Sequence, residues 1–107
     1  MTFKVLFVCS ANVDRSPTAE ALFRDYPGID VASAGTLPDA TTPLDATHIA
    51  WADIILVMEE AHRETIAQRF GEARKVAVLD IPDVYRRGDA ELVQLLEARV
   101  PRFLPKA

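Results

Sequence analysis

The stretch that decides the fold runs from Val5 to Ser16 and reads Val-Leu-Phe-Val-Cys-Ser-Ala-Asn-Val-Asp-Arg-Ser. Its first residues are apolar and β-prone, and this apolar run stops at Cys9. Five residues separate Cys9 from Arg15, and Pro17 then begins a helical pattern. This order predicts a strand, a tight loop and the N-terminus of a helix, a geometry in which backbone N–H groups converge on an anion.

Segments typical of strands and helices alternate four times along the chain. Apolar runs predict strands over 3–8, 29–34, 54–58 and 76–79. Helical spacing predicts helices over 16–26, 44–52 and 60–70. It also predicts a last helix that Asp89 caps and that extends to about Phe103, although Pro101 can end or kink it. The alternation predicts a doubly wound α/β sheet of parallel strands with right-handed crossovers. Ligands of such sheets bind at the carboxyl ends of the strands, where both Cys9 and the segment 80–83 are expected to lie.

The bulk composition is that of a globular protein, with 50% hydrophobic and 26% charged residues. At 107 residues we expect one domain, over residues 1–107. The net charge of −4, with no basic stripe, argues against nucleic acid as a main partner. No apolar run is long enough to span a bilayer and no signal-peptide pattern is present, so we expect a cytoplasmic protein without a membrane partner.

The single cysteine allows no intramolecular disulfide and leaves two interpretations for Cys9. It is either a small buried hydrophobic residue or a nucleophile. Its place at the mouth of the loop favours the nucleophile, because the loop amides, the helix dipole and Arg15 all stabilise a thiolate. The Ser16 hydroxyl can donate a hydrogen bond to the sulfur, or cap the helix, or do both.

The residues between Cys9 and Ser16 are expected to surround one phosphoryl group. Arg15 offers a planar fork of donors that matches two phosphate oxygens. Asn12 tolerates left-handed backbone and is expected to hold the loop rather than to contact substrate. The remaining loop positions predicted to line the substrate site are Ser10, Ala11, Val13 and Asp14.

A carboxylate near the fourth strand can protonate the leaving oxygen. Asp83 follows Pro82, which stiffens the chain and suits a positioned general acid. Asp80 is the alternative, although it can simply cap the turn at the strand end. Tyr85 can form a wall of the substrate pocket, or take part in ordinary packing.

Other charged and titratable residues are expected to have no part in the chemistry. His48 and His62 lie in helical segments, away from the predicted site, as surface or hydrogen-bonded histidines. Glu59 and Glu60 are expected to be solvated charges. No spacing typical of a metal site and no glycine-rich nucleotide motif occurs, so we expect no metal and no cofactor.

Five segments, in this order, carry a resemblance to a known family. They are Val5–Cys9 followed by Asn12 and Arg15–Glu20, then Ser33–Thr36, Ala52–Glu59, Asp80–Tyr85 and the closing amphipathic helix. In these segments the chain resembles the low molecular weight protein tyrosine phosphatases. The resemblance implies a four-stranded parallel sheet in three layers, α/β/α, of the phosphotyrosine protein phosphatase I-like type.

The resemblance also implies an activity. The family hydrolyses phosphotyrosine through a cysteinyl-phosphate intermediate without a metal, so the expected partner is a phosphotyrosine-containing protein or a small phosphomonoester. Carried over residue by residue, Cys9 is the nucleophile, Arg15 binds phosphate and Ser16 tunes the thiol. Asn12 orders the loop, and Asp83 is the general acid.

The chain departs from the family pattern at several places. It is shorter than usual members, and the missing part is expected between Gly35 and Trp51, where the family shapes the substrate entrance. Ala11 replaces the loop glycine, and Val84 replaces the proline after the acid. Asp14 stands where a second loop cysteine is common, so the protective disulfide is unavailable, and its carboxylate is expected to point to solvent.

Two alternatives remain beside a tyrosine phosphatase. An arsenate reductase of similar architecture would use the same loop to attack arsenate, but with one cysteine it would need an external thiol. A non-catalytic module that binds phosphate or phosphotyrosine would need neither Cys9 nor Asp83, and the presence of both with Arg15 weighs against it.

Overall fold

The secondary structure follows the predicted alternation of strands and helices. The computed structural model describes residues 2–72 and 74–106. In chain order the elements are β1 (Phe3–Cys9), α1 (Arg15–Phe23), β2 (Ile29–Gly35), α2 (Ala46–Trp51), β3 (Ile54–Val57), α3 (Glu60–Phe70), β4 (Val76–Val78) and α4 (Ala90–Arg99), followed by a 3-10 turn over Pro101–Phe103. None of the helices in the described part of the chain is long and apolar enough to cross a membrane.

The four strands form one parallel sheet in the order β2-β1-β3-β4. Successive residues of β1 point to opposite faces of the sheet. Val5 and Phe7 join an apolar cluster that includes residues of α1 and α4, whereas Leu6 and Val8 join a second cluster that includes residues of α2 and α3. The predicted three layers, α/β/α, are therefore confirmed.

Helices α1, α2 and α4 differ from their predicted bounds. Helix α1 ends at Phe23 rather than at 26, and α2 covers Ala46–Trp51 rather than 44–52. Helix α1 begins at Arg15 and has Asp14 as its N-cap residue, so Ser16 lies inside the helix and does not cap it. Helix α4 ends at Arg99, and Pro101 opens the 3-10 turn. Proline has no backbone N–H to continue an α-helix, which accounts for the early end of α4.

The bounds of α3 and the capped start of α4 are confirmed. Helix α3 covers the predicted residues and stops at Gly71, which adopts a left-handed φ of 69°. The Asp89 side chain caps α4 by accepting a hydrogen bond from the N–H of Glu91. Trp51 was predicted to pack inward, and its side chain is partly buried against the second apolar cluster.

The carboxyl ends of β1, β3 and β4 meet at one edge of the sheet. Beyond the strands themselves, the N–H of Met58 donates to the carbonyl of Val8, and the N–H of Ile81 donates to the carbonyl of Met58. The loop after β1, the residues after β3 and the segment after β4 are thus held side by side. This edge is where an α/β sheet of this kind binds its ligands.

Gly35 allows the loop after β1 to approach the end of β2. A Cβ atom on Gly35 would lie 2.5 Å from the carbonyl oxygen of Ser10 and 2.6 Å from the Cβ atom of Ala40. Backbone atoms cannot give way as a flexible side chain can, so a side chain at this position would displace the loop. Gly35 is therefore needed for space.

We predict that Gly35→Ala destabilises the protein and shifts the loop. Overpacking of this kind costs about 1–3 kcal/mol in the free energy of unfolding, which urea denaturation measures. The matched control is Gly28→Ala, because Gly28 has a φ of 81° but no atom within 4 Å of its would-be Cβ. Both variants lose stability, but only Gly35→Ala should move the backbone amide NMR signals of residues 10–12. Unmoved signals in Gly35→Ala would contradict the close-approach account.

Candidate active site

The sulfur of Cys9 is buried and hydrogen-bonded at the end of β1. Cys9 is 3% exposed. Its Sγ atom lies 2.9 Å from the Ser16 hydroxyl and accepts the backbone N–H of Asn12 at 3.3 Å. The sulfur therefore lies in a polar environment at one end of an otherwise apolar strand.

Asn12 links the loop to its surroundings. Its backbone is left-handed, with a φ of 57°, and its side chain is 4% exposed. The Nδ2 group donates to the hydroxyls of Ser16 at 2.8 Å and Ser33 at 3.0 Å. Asparagine is one of the few residues besides glycine that adopts this conformation readily, so the loop can turn here without a glycine.

Several backbone donors of the loop are unused. Within residues 2–72 and 74–106, the N–H groups of Ala11, Val13 and Asp14 donate to no protein acceptor. They precede the N-terminus of α1, whose dipole attracts negative charge. A small pocket here is lined by Cys9, Ala11, Val13, Asp14, Arg15 and Asp83. The arrangement suits a compact oxyanion.

Arg15 is almost completely buried, with 1% exposure. Its Nη1 group donates to Oε2 of Glu59 and to the carbonyl oxygen of Ile81, both at 2.7 Å. These two acceptors fix the plane of the guanidinium, and Nη2 makes no hydrogen bond within the described residues. Glu59 is therefore not the solvated charge that the sequence suggested, because it is the ion-pair partner of Arg15.

The two candidate acids lie in different places. Oδ1 of Asp83 is 3.7 Å from Nε of Arg15, and the Asp83 side chain is 64% exposed at the rim of the pocket. Asp80 does not line this pocket. Its carbonyl oxygen accepts a hydrogen bond from Nη1 of Arg99 at 2.6 Å. The structure thus brings Asp83, and not Asp80, next to Cys9 and Arg15.

The carboxylate of Asp14 has a protein partner, whereas the sequence-based expectation placed it in solvent. Its Oδ1 atom accepts the backbone N–H of Arg87 at 2.9 Å. Close by, the Thr18 hydroxyl accepts the N–H of Gly88 at 3.0 Å. These two contacts attach the segment that carries Asp83 to the start of α1. The residue that replaces the common second cysteine therefore has a structural partner.

His62 is not remote from the site, and the prediction that placed it elsewhere is wrong. Its Nδ1 atom accepts the backbone N–H of Glu59 at 3.0 Å, and its Nε2 atom lies 2.8 Å from the Ser10 hydroxyl. Burial, and secondly the charge of Arg15, lower the pKa of His62, while Glu59 and Asp83 act in the opposite direction. No pattern in the sequence indicates this contact, because it depends on the pairing of β3 with β1.

Tyr85 does not form a wall of the pocket as predicted. Its side chain is partly buried against the apolar cluster under α1 and α4, and it is not among the lining residues. His48 behaves as expected, with Nδ1 accepting the N–H of Asp45 in the α2 cap. Within the described part of the chain, no group of three or more His, Cys, Asp or Glu residues could hold a metal ion.

The sequence matches one protein family. Residues 4–50 match the family described as low molecular weight phosphotyrosine protein phosphatase. This match includes β1, the loop, α1 and β2, which together carry most of the residues that line the pocket.

Two kinds of curated relative are similar to the chain. A protein-arginine-phosphatase of Geobacillus stearothermophilus is 32% identical, over 69% of this chain and 66% of that protein. The low molecular weight protein-tyrosine-phosphatase Wzb of Escherichia coli K12 is 31% identical, over 78% of each. The chain thus spans just under two thirds of the arginine phosphatase. The alignment with Wzb is 115 positions long, whereas this chain has 107 residues, so part of the aligned length of Wzb has no counterpart here.

Solved structures share the fold. The tyrosine phosphatase Wzb of Escherichia coli K30, in complex with phosphate, superposes with a TM-score of 0.80 over 96% of both chains at 29% identity. The similarity therefore extends over all four strands and the helices between them, although the chain is short.

We predict that His62 makes the stability of the protein depend on pH. Because the pKa of His62 is lowered in the folded state, the unfolded chain binds the proton more tightly. The free energy of unfolding is therefore highest above the ordinary pKa of 6.5 and falls as the pH decreases below it. One proton sets a limiting slope of about 1.4 kcal/mol per pH unit.

The measurement is urea unfolding of the wild type and His62→Gln between pH 5 and pH 8, about the range in which histidine titrates. The glutamine variant cannot titrate at this position, so its stability should depend less steeply on pH. Parallel curves for the two proteins would show that His62 is not the group responsible.

Proposed function

The chain belongs to the low molecular weight protein tyrosine phosphatase family, and from this membership we propose that it hydrolyses phosphotyrosine, or a related phosphomonoester, through a cysteinyl-phosphate intermediate. One observation carries the proposal: Cys9, Arg15 and Asp83 line a single pocket at the N-terminus of α1. A nucleophile, an oxyanion-binding cation and an acid are the three groups that this chemistry requires. The substrate is a phosphotyrosine-containing protein or a small phosphomonoester in the cytoplasm.

In the first step, the Cys9 thiolate attacks phosphorus and the bond to the phenolic oxygen breaks. The Ser16 hydroxyl and the Asn12 N–H stabilise the thiolate before attack and again when it leaves. The free loop amides and Arg15 bind the equatorial phosphoryl oxygens, where charge is spread in the transition state. Burial strengthens these interactions, since water does not screen the Arg15 guanidinium.

Asp83 gives its proton to the leaving phenolate oxygen in the first step. In the second step the resulting carboxylate removes a proton from the attacking water, which displaces the Cys9 thiolate and releases inorganic phosphate. The exposed position of Asp83 at the rim lets it reach both the leaving group and the water. Its attachment through Asp14 and Thr18 limits the movement of the segment that carries it.

Phosphoarginine is a second candidate substrate. The arginine phosphatase of Geobacillus stearothermophilus is as similar in sequence as the tyrosine phosphatase Wzb. Asp83, whose carboxylate lies beside Arg15, lines the pocket, and a guanidinium leaving group is cationic once the P–N bond breaks and the nitrogen is protonated. The same nucleophile would serve both reactions, so an assay with both phosphoamino acids in matched peptides discriminates between them.

We predict that Cys9→Ser abolishes hydrolysis of either phosphopeptide while inorganic phosphate still binds. The loop amides and Arg15 remain in this variant, so the oxyanion keeps its donors. Steady-state release of phosphate measures turnover, and calorimetric titration with phosphate measures binding. Turnover at the wild-type rate would refute the role of Cys9. Phosphate binding without turnover in the wild type would favour the binding module, and turnover of arsenate with an external thiol would favour the reductase.

We predict that Asp83→Asn lowers kcat more for substrates with poor leaving groups than for substrates with good leaving groups. Loss of a general acid costs about 10²–10⁴-fold with phosphotyrosine, because the phenolate must leave unprotonated. An aryl phosphate with an acidic phenol needs little protonation and should lose less. Asp80→Asn is the matched control, and kcat of both variants on both substrates is the measurement. Leaving-group dependence in Asp80→Asn instead would identify the other carboxylate as the acid.

A further inference from the structure

Helices α2 and α3 begin with the same local motif. In each, Nδ1 of a histidine at the third helical position accepts the backbone N–H of the N-cap residue. The N–H of that histidine donates to the Asp45 side chain in α2 and to the carbonyl oxygen of Glu59 in α3. The pairs are Asp45 with His48 and Glu59 with His62. For His48 the contacts involve only Nδ1 and the cap residue. His62 makes a further hydrogen bond, which the cap does not require.

The cap fixes the tautomer of His62. A backbone N–H is always a donor, so the Nδ1 atom that accepts from Glu59 carries no hydrogen. The hydrogen of the neutral ring is then on Nε2, which donates to the Ser10 hydroxyl oxygen at 2.8 Å. The Ser10 hydroxyl is consequently an acceptor in this pair, and its own hydrogen stays available for another acceptor.

Both partners of His62 belong to the site. Ser10 directly follows Cys9, and its carbonyl oxygen accepts the N–H of Leu37. Glu59 binds Nη1 of Arg15 at 2.7 Å. His62 is therefore one buried side chain, 3% exposed, that contacts the loop on one side and the partner of the guanidinium on the other.

We propose that His62 is a positioning residue that, as a neutral imidazole, holds the phosphate-binding loop through Ser10 in register with the Arg15–Glu59 pair. The proposal deepens the function proposed above and rests on it. His62 contacts no substrate atom. It determines where the loop amides stand relative to the guanidinium, and small displacements of such groups reduce rates strongly.

The neutral form is essential to this role. A proton on Nδ1 would face the N–H of Glu59, so two donors would oppose each other and the cap would open. The charged groups that face the ring are Arg15 from α1, Glu59 from the start of α3 and Asp83 from the segment before α4. The burial that lowers the pKa of His62, together with Arg15, keeps the ring neutral near pH 7, about half a unit above the ordinary histidine pKa.

The experiment compares five variants with the wild type: His62→Ala, His62→Gln, Ser10→Ala, the double variant of His62→Ala with Ser10→Ala, and the matched control His48→Ala. The control removes the same cap motif from α2, away from the site. We expect kcat of His62→Ala with an aryl phosphate to fall about 10²-fold. His48→Ala should stay at the wild-type kcat, although both variants lose stability.

Glutamine at this helix position can accept from the cap N–H and donate from its amide nitrogen, so His62→Gln should recover most of the lost kcat. Ser10→Ala should lower kcat. Adding it to His62→Ala should cause little further loss, because both substitutions remove the same hydrogen bond between Ser10 and His62. Ser10→Ala and His62→Gln also keep the test decisive if His62→Ala does not fold. Equal kcat for His62→Ala and His48→Ala, or fully additive effects with Ser10→Ala, would overturn the proposal.

The pH profile separates positioning from a purely structural role. The wild type and His62→Gln share every other titratable group, so the ratio of the kcat values of the two proteins isolates His62. Because the pKa of His62 is lowered in the folded protein, this ratio should still be constant at pH 6.5 and should fall only as the pH decreases through that lowered pKa. A ratio that does not change with pH would contradict the requirement for a neutral ring.

Binding of inorganic phosphate distinguishes failure of this proposal from failure of the proposed function. Calorimetry needs no turnover, and we expect about tenfold weaker phosphate binding in His62→Ala, with no change in His48→Ala. If His62→Ala weakens phosphate binding as expected but the wild type hydrolyses nothing, the phosphatase assignment is wrong and the positioning role stands. Should the wild type hydrolyse normally with no dependence on His62, the positioning role is wrong.

Discussion

The burial of one guanidinium constrains the whole site. Arg15 is permanently charged and almost inaccessible to water, so its N–H groups need acceptors inside the protein. Two of them come from different parts of the chain, the Glu59 carboxylate after β3 and the Ile81 carbonyl after β4. These segments can only meet because β1, β3 and β4 are parallel neighbours whose carboxyl ends share one edge.

The loop before Arg15 is adapted to the same edge. Gly35 leaves room for its backbone, and the left-handed Asn12 turns it. The N–H groups of Ala11, Val13 and Asp14 donate to no acceptor in the described part of the chain. Asp14 then ties the loop to the segment that carries Asp83. Each of these contacts restricts the loop without using the donors that face the pocket. A preorganised anion site of this kind does not have to reorganise when charge develops in the transition state.

The fold and the local part of the site could be predicted from the sequence, because both depend on near neighbours. Apolar periodicity predicts the strands, and the spacing from Cys9 to Arg15 places both residues on one short loop. The sequence did not reveal which distant residues contact Arg15 and the loop. Glu59 and His62 are 44 and 52 residues from the groups they bind, and only the pairing of β1 with β3 brings them there. Ser16 was predicted as a possible cap, but the helix starts one residue earlier and frees its hydroxyl for the sulfur.

The central claim is that Cys9 carries the phosphoryl group during turnover. The most direct measurement is a rapid alkaline quench of the protein while it hydrolyses a phosphotyrosine peptide, followed by peptide mapping by mass spectrometry. The account predicts one phosphoryl group on the peptide that contains Cys9, and none in Cys9→Ser. Turnover with that peptide unmodified, or with the phosphoryl group on another residue, would contradict it.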